Sequence, residues 1–156
     1  MGLKITVEPR GFDRAAQRLN ALANRLDDLE PAMAEIGRYM VRSTQNRILS
    51  SKTGPDGKRW ARISKLTESL KGDDQIMFQS GELYRSIRAT QASRDYVNIR
   101  SEAPYAPYLQ RGVKRVRGRY RSTTGIPERP FLGISEENKR RIAKIISGYL
   151  RGEEER

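Results

Sequence analysis

Residues 12–48 read FDRAAQRLNALANRLDDLEPAMAEIGRYMVRSTQNRI, and the spacing of apolar residues in this stretch decides the first half of the fold. Phe12, Ala15, Leu19, Leu22, Leu26 and Leu29 recur at steps of three and four, which lays them in one stripe along an amphipathic helix. Arg14, Arg18, Arg25 and Asp28 fall off the stripe. Glu30-Pro31 breaks this helix and starts a second, with Pro31 at the first helical position, where its missing N–H is harmless. Met33, Ile36, Met40, Thr44 and Ile48 then carry the buried face of the second helix. Gly37, in its middle, either admits another element at close range or is simply tolerated. The first stripe would also fit a coiled-coil seam. It is too short for three heptads and Pro31 follows at once, so packing against the second helix is its expected use.

Working outward, Leu3, Ile5 and Val7 alternate with polar residues, a half-buried strand ended by Pro9. Residues 50–57 (SSKTGPDG) form a loop with turn chemistry in Pro-Asp-Gly. Trp60, Ile63, Leu66 and Leu70 are apolar at helical spacing, but Gly72 follows, so the segment is irregular or a brief helix. Ser80 is expected to cap a short helix in which Leu83 and Ile87 share a face. From Ala89 the pattern turns to strands. Tyr96, Val97 and Ile99 mark one, and the 105–109 region marks another element, interrupted by Pro104 and Pro107. Residues 113–125 are basic and punctuated by glycine, either a twisted hairpin or a mobile loop. Phe131 and Leu132 return to the core. Ser135 caps a last helix whose buried face is Ile142, Ile145, Ile146, Tyr149 and Leu150, with Gly152 as its stop. The expected class is α+β: two N-terminal helices, a small antiparallel sheet and a C-terminal amphipathic helix. Residues 1–152 are read as a single domain and 153–156 as a short acidic tail.

Composition narrows the function. A chain of 156 residues buries roughly 70% of its unfolded surface, enough for a core. With 31 basic and 19 acidic residues the net charge is +12, which draws anionic partners: nucleic acid, an acidic protein surface or a membrane. Cysteine and histidine are both absent, which excludes thiolate chemistry and removes the commonest proton carrier and metal ligand. Ser80 therefore lacks a histidine base. Glu82, Asp95 and Glu102 lie scattered among basic residues rather than paired. No catalytic residue, cofactor or metal is assigned, and the chain is read as no enzyme. No apolar run approaches the ~20 residues of a membrane span, and the N-terminus lacks the apolar stretch of a signal peptide. A soluble protein made in the cytoplasm, with no membrane partner, is the expectation.

Four segments stand in order along the chain. They are Trp60 with Ile63 and Leu66 ahead of Thr67 and Lys71, then Gln79-Ser80-Gly81-Glu82-Leu83 leading to Ser86-Ile87, then Pro104-Tyr105-Ala106 followed by Leu109-Gln110-Arg111-Gly112, and finally residues 126–135, IPERPFLGIS, leading into the last helix. Together they resemble the phage virion morphogenesis family of Mu/P2-like tail completion proteins over roughly residues 55–150. Two departures stand out: Leu109 occupies a position where the family often has His, and the stretch from Lys114 to Arg121 is unusually basic. The resemblance implies a structural tail completion or tail terminator-type subunit of the head–tail neck. Such a subunit forms a homo-oligomeric ring, read as a hexamer from the sixfold symmetry of such tails, and enables head–tail joining. It implies the connector and tail tube proteins as partners, packaged DNA nearby, and a place in the virion after assembly in the host cytoplasm.

Arg111, Lys114, Arg115, Arg117, Arg119 and Arg121 place six cations in eleven positions with no acid among them. A solvated loop is the plain reading of such a run. A ring of these segments would grip DNA through many phosphate contacts and hinder its passage, so docking on an acidic protein is the preferred partner role. The alternative is a basic nucleic-acid-binding protein, which explains the charge and Tyr120 but not the four ordered segments. Tyr105, Tyr108, Leu109 and Tyr149 are the candidate oligomer contacts. Residues 129–133, RPFLG, are read as structural, with Arg129 binding carbonyls or a carboxylate beside a buried turn.

Overall fold

The computed structural model describes residues 12–114 and 125–153. The strand expected over residues 3–7 and the acidic tail's residues 154–156 lie outside them. Helix α1 (Phe12–Asp27) leads into α2 (Glu30–Asn46), with Pro31 in the first turn of α2 as its missing N–H allows. The last turn of that helix widens into a π-helical turn (Arg47–Ser51), closed by Lys52 in the left-handed region at φ 52°. Short helices α3 (Lys65–Lys71) and α4 (Glu82–Ser86) follow, then strands β1 (Ile87–Ala92) and β2 (Val97–Ser101), short helix α5 (Ala106–Arg111) and the long α6 (Glu136–Arg151). The class is α+β, as expected.

Strands β1 and β2 pair antiparallel, Ile87 opposite Ser101 and Ala89 opposite Ile99, with a bulge at Gln91, whose φ is 49°. Two strands alone are marginal in water. Here α2 covers one face of the pair. The approach is close because Gly37 has no side chain: a Cβ there would lie 2.9 Å from Val97 Cγ2 and 3.1 Å from Ala89 Cβ. Of the two roles open to Gly37, close approach is the one observed. On the other face Arg88 stands opposite Arg100, and Glu102 lies between them at 3.9 and 3.5 Å, offsetting a like-charge pair.

The buried face of α2 is the one its spacing predicts, with Ile36, Met40, Thr44 and Ile48 buried and Met33 partly buried. Ile36 and Met40 meet Ile145 of α6. Ile48 joins Trp60, Leu83, Ile87, Ala103, Ala106 and Phe131 in the main core. Helix α6 begins with a reciprocal cap in which Asn138 N donates to Ser135 Oγ (3.2 Å) and Ser135 N donates to Asn138 Oδ1 (3.0 Å). It ends at Gly152 with φ 78°.

Three expectations need correction. Ser80 is not the cap of α4: Gly81 holds that position at φ 75°, and Ser80 Oγ only accepts from Glu82 N at 3.4 Å. Ile87 shares the core with Leu83, but it does so as the first residue of β1 rather than within a helix. The α1 stripe does not bury against α2. Leu19, Leu22 and Leu26 are 65%, 37% and 46% exposed, and α1 packs on α6 instead. Its last turn is moored there by Arg25 Nη1 donating to Leu150 O (3.1 Å), and Tyr149 Oη donates to Asp28 O just beyond (2.5 Å).

Residues 129–133 bury Arg129 and Phe131 in the core, yet they pair with no strand among the described residues. Side chains and one backbone carbonyl bind this strap instead. Arg129 N donates to Leu109 O (2.7 Å) and Trp60 Nε1 to Pro130 O (3.0 Å). Phe131 N and Leu132 N both donate to Gln110 Oε1 (3.0 and 3.1 Å), while Gln110 Nε2 donates to Leu132 O (2.9 Å). Arg47 Nη1 reaches Phe131 O (3.1 Å) and Gly133 O (2.8 Å), and its Nη2 donates to Asn138 Oδ1. Arg47 is only 6% exposed, and burial lowers its pKa, with Tyr39 and Glu137 opposing that shift. The structural reading of this segment holds, including Arg129, which donates to Ala61 O (2.9 Å) and Arg62 O (3.1 Å).

Replacing Arg47 by Met would leave the Phe131 carbonyl without a donor in the interior and remove the bond to the more exposed Gly133 carbonyl. A loss of about 3 kcal/mol in urea unfolding is expected. Lys, a single ammonium in place of a planar fork, should recover less than half of it. Thr44 shows the opposite sign. Its buried Oγ1 has no partner among the described residues, so Thr44→Val should leave the melting temperature equal or higher.

Candidate partner-binding face

Helix α5 forms although Pro104 and Pro107 flank its start, because a proline in the first turn removes only an N–H that has no intrahelical partner. It buries Ala106 and turns Leu109 inward onto the Phe131 cluster. Tyr105, Tyr108 and Arg111 remain on the outside. Tyr105 Oη donates to Glu82 Oε2 at 3.3 Å, and burial together with the Glu82 charge raises the tyrosine's pKa. Tyrosine and arginine side by side are the residue types enriched at protein interfaces, since each offers large contact area and a polar tip.

The chain leaves α5 through Gly112 at φ 67°, and Val113 pairs with Ile126 in an antiparallel bridge, each amide donating to the other's carbonyl at 2.8 Å. A side chain at residue 112 would collide with backbone: its Cβ would lie 2.7 Å from Glu128 N and 2.8 Å from Ile126 O. The basic segment therefore starts and ends at one point on the surface. Lys114 sits there, exposed, next to the exposed Arg111. Arg115, Arg117, Arg119 and Arg121 lie outside the described residues, as does the choice between hairpin and loop for the segment's middle. Of the residues expected at an interface, the structure gathers Tyr105, Tyr108, Arg111 and Lys114 on or beside α5. Leu109 belongs to the core side of that helix. Tyr149 is elsewhere, half-buried on α6.

A groove of about 340 Å³ opens beside α5, walled by Ile63, Met77, Phe78 and Leu83 with Glu82 and Tyr105. Lys71 Nζ donates to Phe78 O (2.8 Å) and Gln75 O (2.5 Å), which shapes the loop after α3 around it. Leu66 and Leu70, on one side of α3, are 71% and 79% exposed. Hydropathy alone reads these leucines as core, so the sequence gives no signal that they face outward. Among the described residues no cluster of three or more His, Cys, Asp or Glu is placed to hold a metal, and no helix is long and apolar enough to cross a membrane.

The family model for the phage virion morphogenesis family matches residues 11–151. The chain belongs to the phage virion morphogenesis family. Neither the curated proteins nor the solved structures gave a match. The match runs from the start of α1 to the end of α6, so it takes in the strap, the α5 face and the exposed α1 stripe alike. Membership in the phage virion morphogenesis family gives the chain a structural role in building a bacteriophage virion.

Gly112→Ala should break the bridge at the base of the basic segment, since both of its close neighbours are backbone atoms. Hydrogen exchange at the Val113 and Ile126 amides should accelerate at least tenfold, while the amides of α6 keep their protection.

Proposed function

We propose that this chain is a tail completion subunit of the tail terminator type, which forms a ring at the head-proximal end of the tail and enables the head to join. The observation that carries this reading is the α5 face. Tyr105, Tyr108 and Arg111 stand exposed, and the bridge beside them launches a segment whose five cations face no acid in sequence. Repeated around a ring, that face presents a basic, aromatic collar. An acidic surface on the connector would be drawn to it and held in register. The ring itself is supported by the apolar surface that a lone chain leaves open at α1 and α3.

The test is head–tail joining in vitro with Arg111, Lys114, Arg115, Arg117, Arg119 and Arg121 replaced by Ser. Joining should slow at least tenfold at low salt, where the wild-type rate is fastest, and the mass of the purified protein should stay that of the wild type. Joining rates equal to wild type at low and physiological salt would refute the docking role. Salt-sensitive binding to duplex DNA by a monomer, with no effect on joining, would instead favour a nucleic-acid-binding protein.

A further inference from the structure

Two arginines are buried among the described residues, and their surroundings differ. Arg47 binds the Phe131 and Gly133 carbonyls and Asn138, and the Glu137 carboxylate opposes the effect of its burial. Arg129, 6% exposed, donates from Nε to Ala61 O and from Nη2 to Arg62 O, while its Nη1 takes no partner among the described residues. No carboxylate offsets its burial, which alone acts on its pKa, downward. A guanidinium that has lost its water and gained no anion is unfavourable until an anion reaches it. Arg129 lines the groove of about 340 Å³ beside α5, together with the apolar Ile63, Met77, Phe78, Leu83 and Leu109. Two further charges line that groove, and both are met. Lys71 Nζ is held by Asp73 at 3.2 Å and by the Gln75 and Phe78 carbonyls. Glu82 is exposed to water and accepts from Tyr105 Oη. Arg129 is the charge left unmatched.

A cation at the wall of an apolar groove selects a ligand that carries an anion beside apolar atoms. We infer that the groove takes an apolar–acidic segment of the partner protein, with a Glu or Asp carboxylate at Arg129 and an adjoining aliphatic side chain against Met77, Phe78 and Leu83. This rests on the docking reading for its partner, the protein with the acidic surface, and names the anchor within that contact. Tyr105 and Leu109 of α5 border the groove, so the anchor sits beside the face from which the basic segment starts. The two parts of the contact act differently. Exposed cations speed the encounter and set register. A carboxylate paired with a desolvated guanidinium, next to a filled apolar pocket, slows the release.

The experiment titrates the full chain with the blocked peptide acetyl-Ala-Leu-Glu-Leu-Ala-amide and follows the Arg129 Nε–H and the Met77 and Leu83 methyl signals by NMR. These signals should shift together. The peptide with Gln in place of Glu, or with Ser in place of both Leu, should bind at least tenfold more weakly. Glu82→Gln, at an exposed site, should keep the fold and bind the Glu peptide at least threefold more tightly, because the groove's own carboxylate is gone. Arg129→Gln should bind it at least tenfold more weakly, and if that variant loses the fold, Glu82→Gln still decides. Equal binding of the Gln or Ser peptide, or an unchanged or weaker affinity in Glu82→Gln, overturns the anchor. Isovalerate binding as tightly as the peptide also overturns it, since the site would then serve a small solute. None of these readouts involves head–tail joining, so the anchor can fail while docking through the basic segment stands. Wild-type joining by the Ser-substituted chain removes the docking reading and, with it, the partner.

Discussion

Five residues that no strand among the described residues accompanies set the main demand on this fold. Every backbone amide and carbonyl of 129–133 that enters the interior must find a partner there, because an unpaired buried polar group costs about 1–3 kcal/mol. Arg47, Trp60 and Gln110 supply those partners from three distant parts of the chain. Phe131, with no exposed surface, can be held at the centre of the apolar cluster only because its own N–H and C=O are bound on both sides. The Arg47 charge is tolerated because its guanidinium is surrounded by oxygens: two carbonyls and the Asn138 amide, which in turn donates to Tyr39 Oη and Ser43 Oγ at 2.8 Å. That one network joins the end of α2, the strap and the start of α6.

The same network positions the exposed side of α5. Gln110 lies on α5 between the exposed Tyr108 and Arg111, and its bonds to the strap fix the rotation of that short helix. A helix of six residues has little stability of its own. Anchored at Gln110 and packed through Ala106 and Leu109, it can offer its other side to solvent in a set orientation. The bridge between Val113 and Ile126 then fixes where the basic segment begins.

Much of the architecture was readable from residue spacing. The long helices announce themselves by apolar recurrence, and the Ser135 cap and the Gly152 stop by residue type. The buried face of α2 follows from Ile36, Met40, Thr44 and Ile48. Periodicity fails where a polar side chain does the work of a strand: nothing in the pattern around Arg47 or Gln110 says that they bind backbone in the interior. It also fails at Leu19, Leu22, Leu66 and Leu70, because a stripe marks an apolar face without saying whether the rest of the fold reaches it. The 105–109 region was legible as an element but not as a helix, since two prolines mask a helical turn that their first-turn placement permits. On the candidate site, Arg111 and Tyr108 were found by residue type, whereas the groove beside α5 comes from segments far apart in sequence.

The strap also bears on synthesis. Its partners at Arg47, Trp60 and Gln110 lie up to 86 positions earlier, so the pocket for Phe131 stays empty until residue 131 has been translated. Contacts this distant in sequence form late and slowly. A nascent chain thus emerges from the ribosome with its α helices begun but its centre unfilled, and the α5 face cannot take its final orientation before residue 132 is in place. The order of events is thus written into the chain, in which the elements that wall the pocket come first and the strap that fills it follows them.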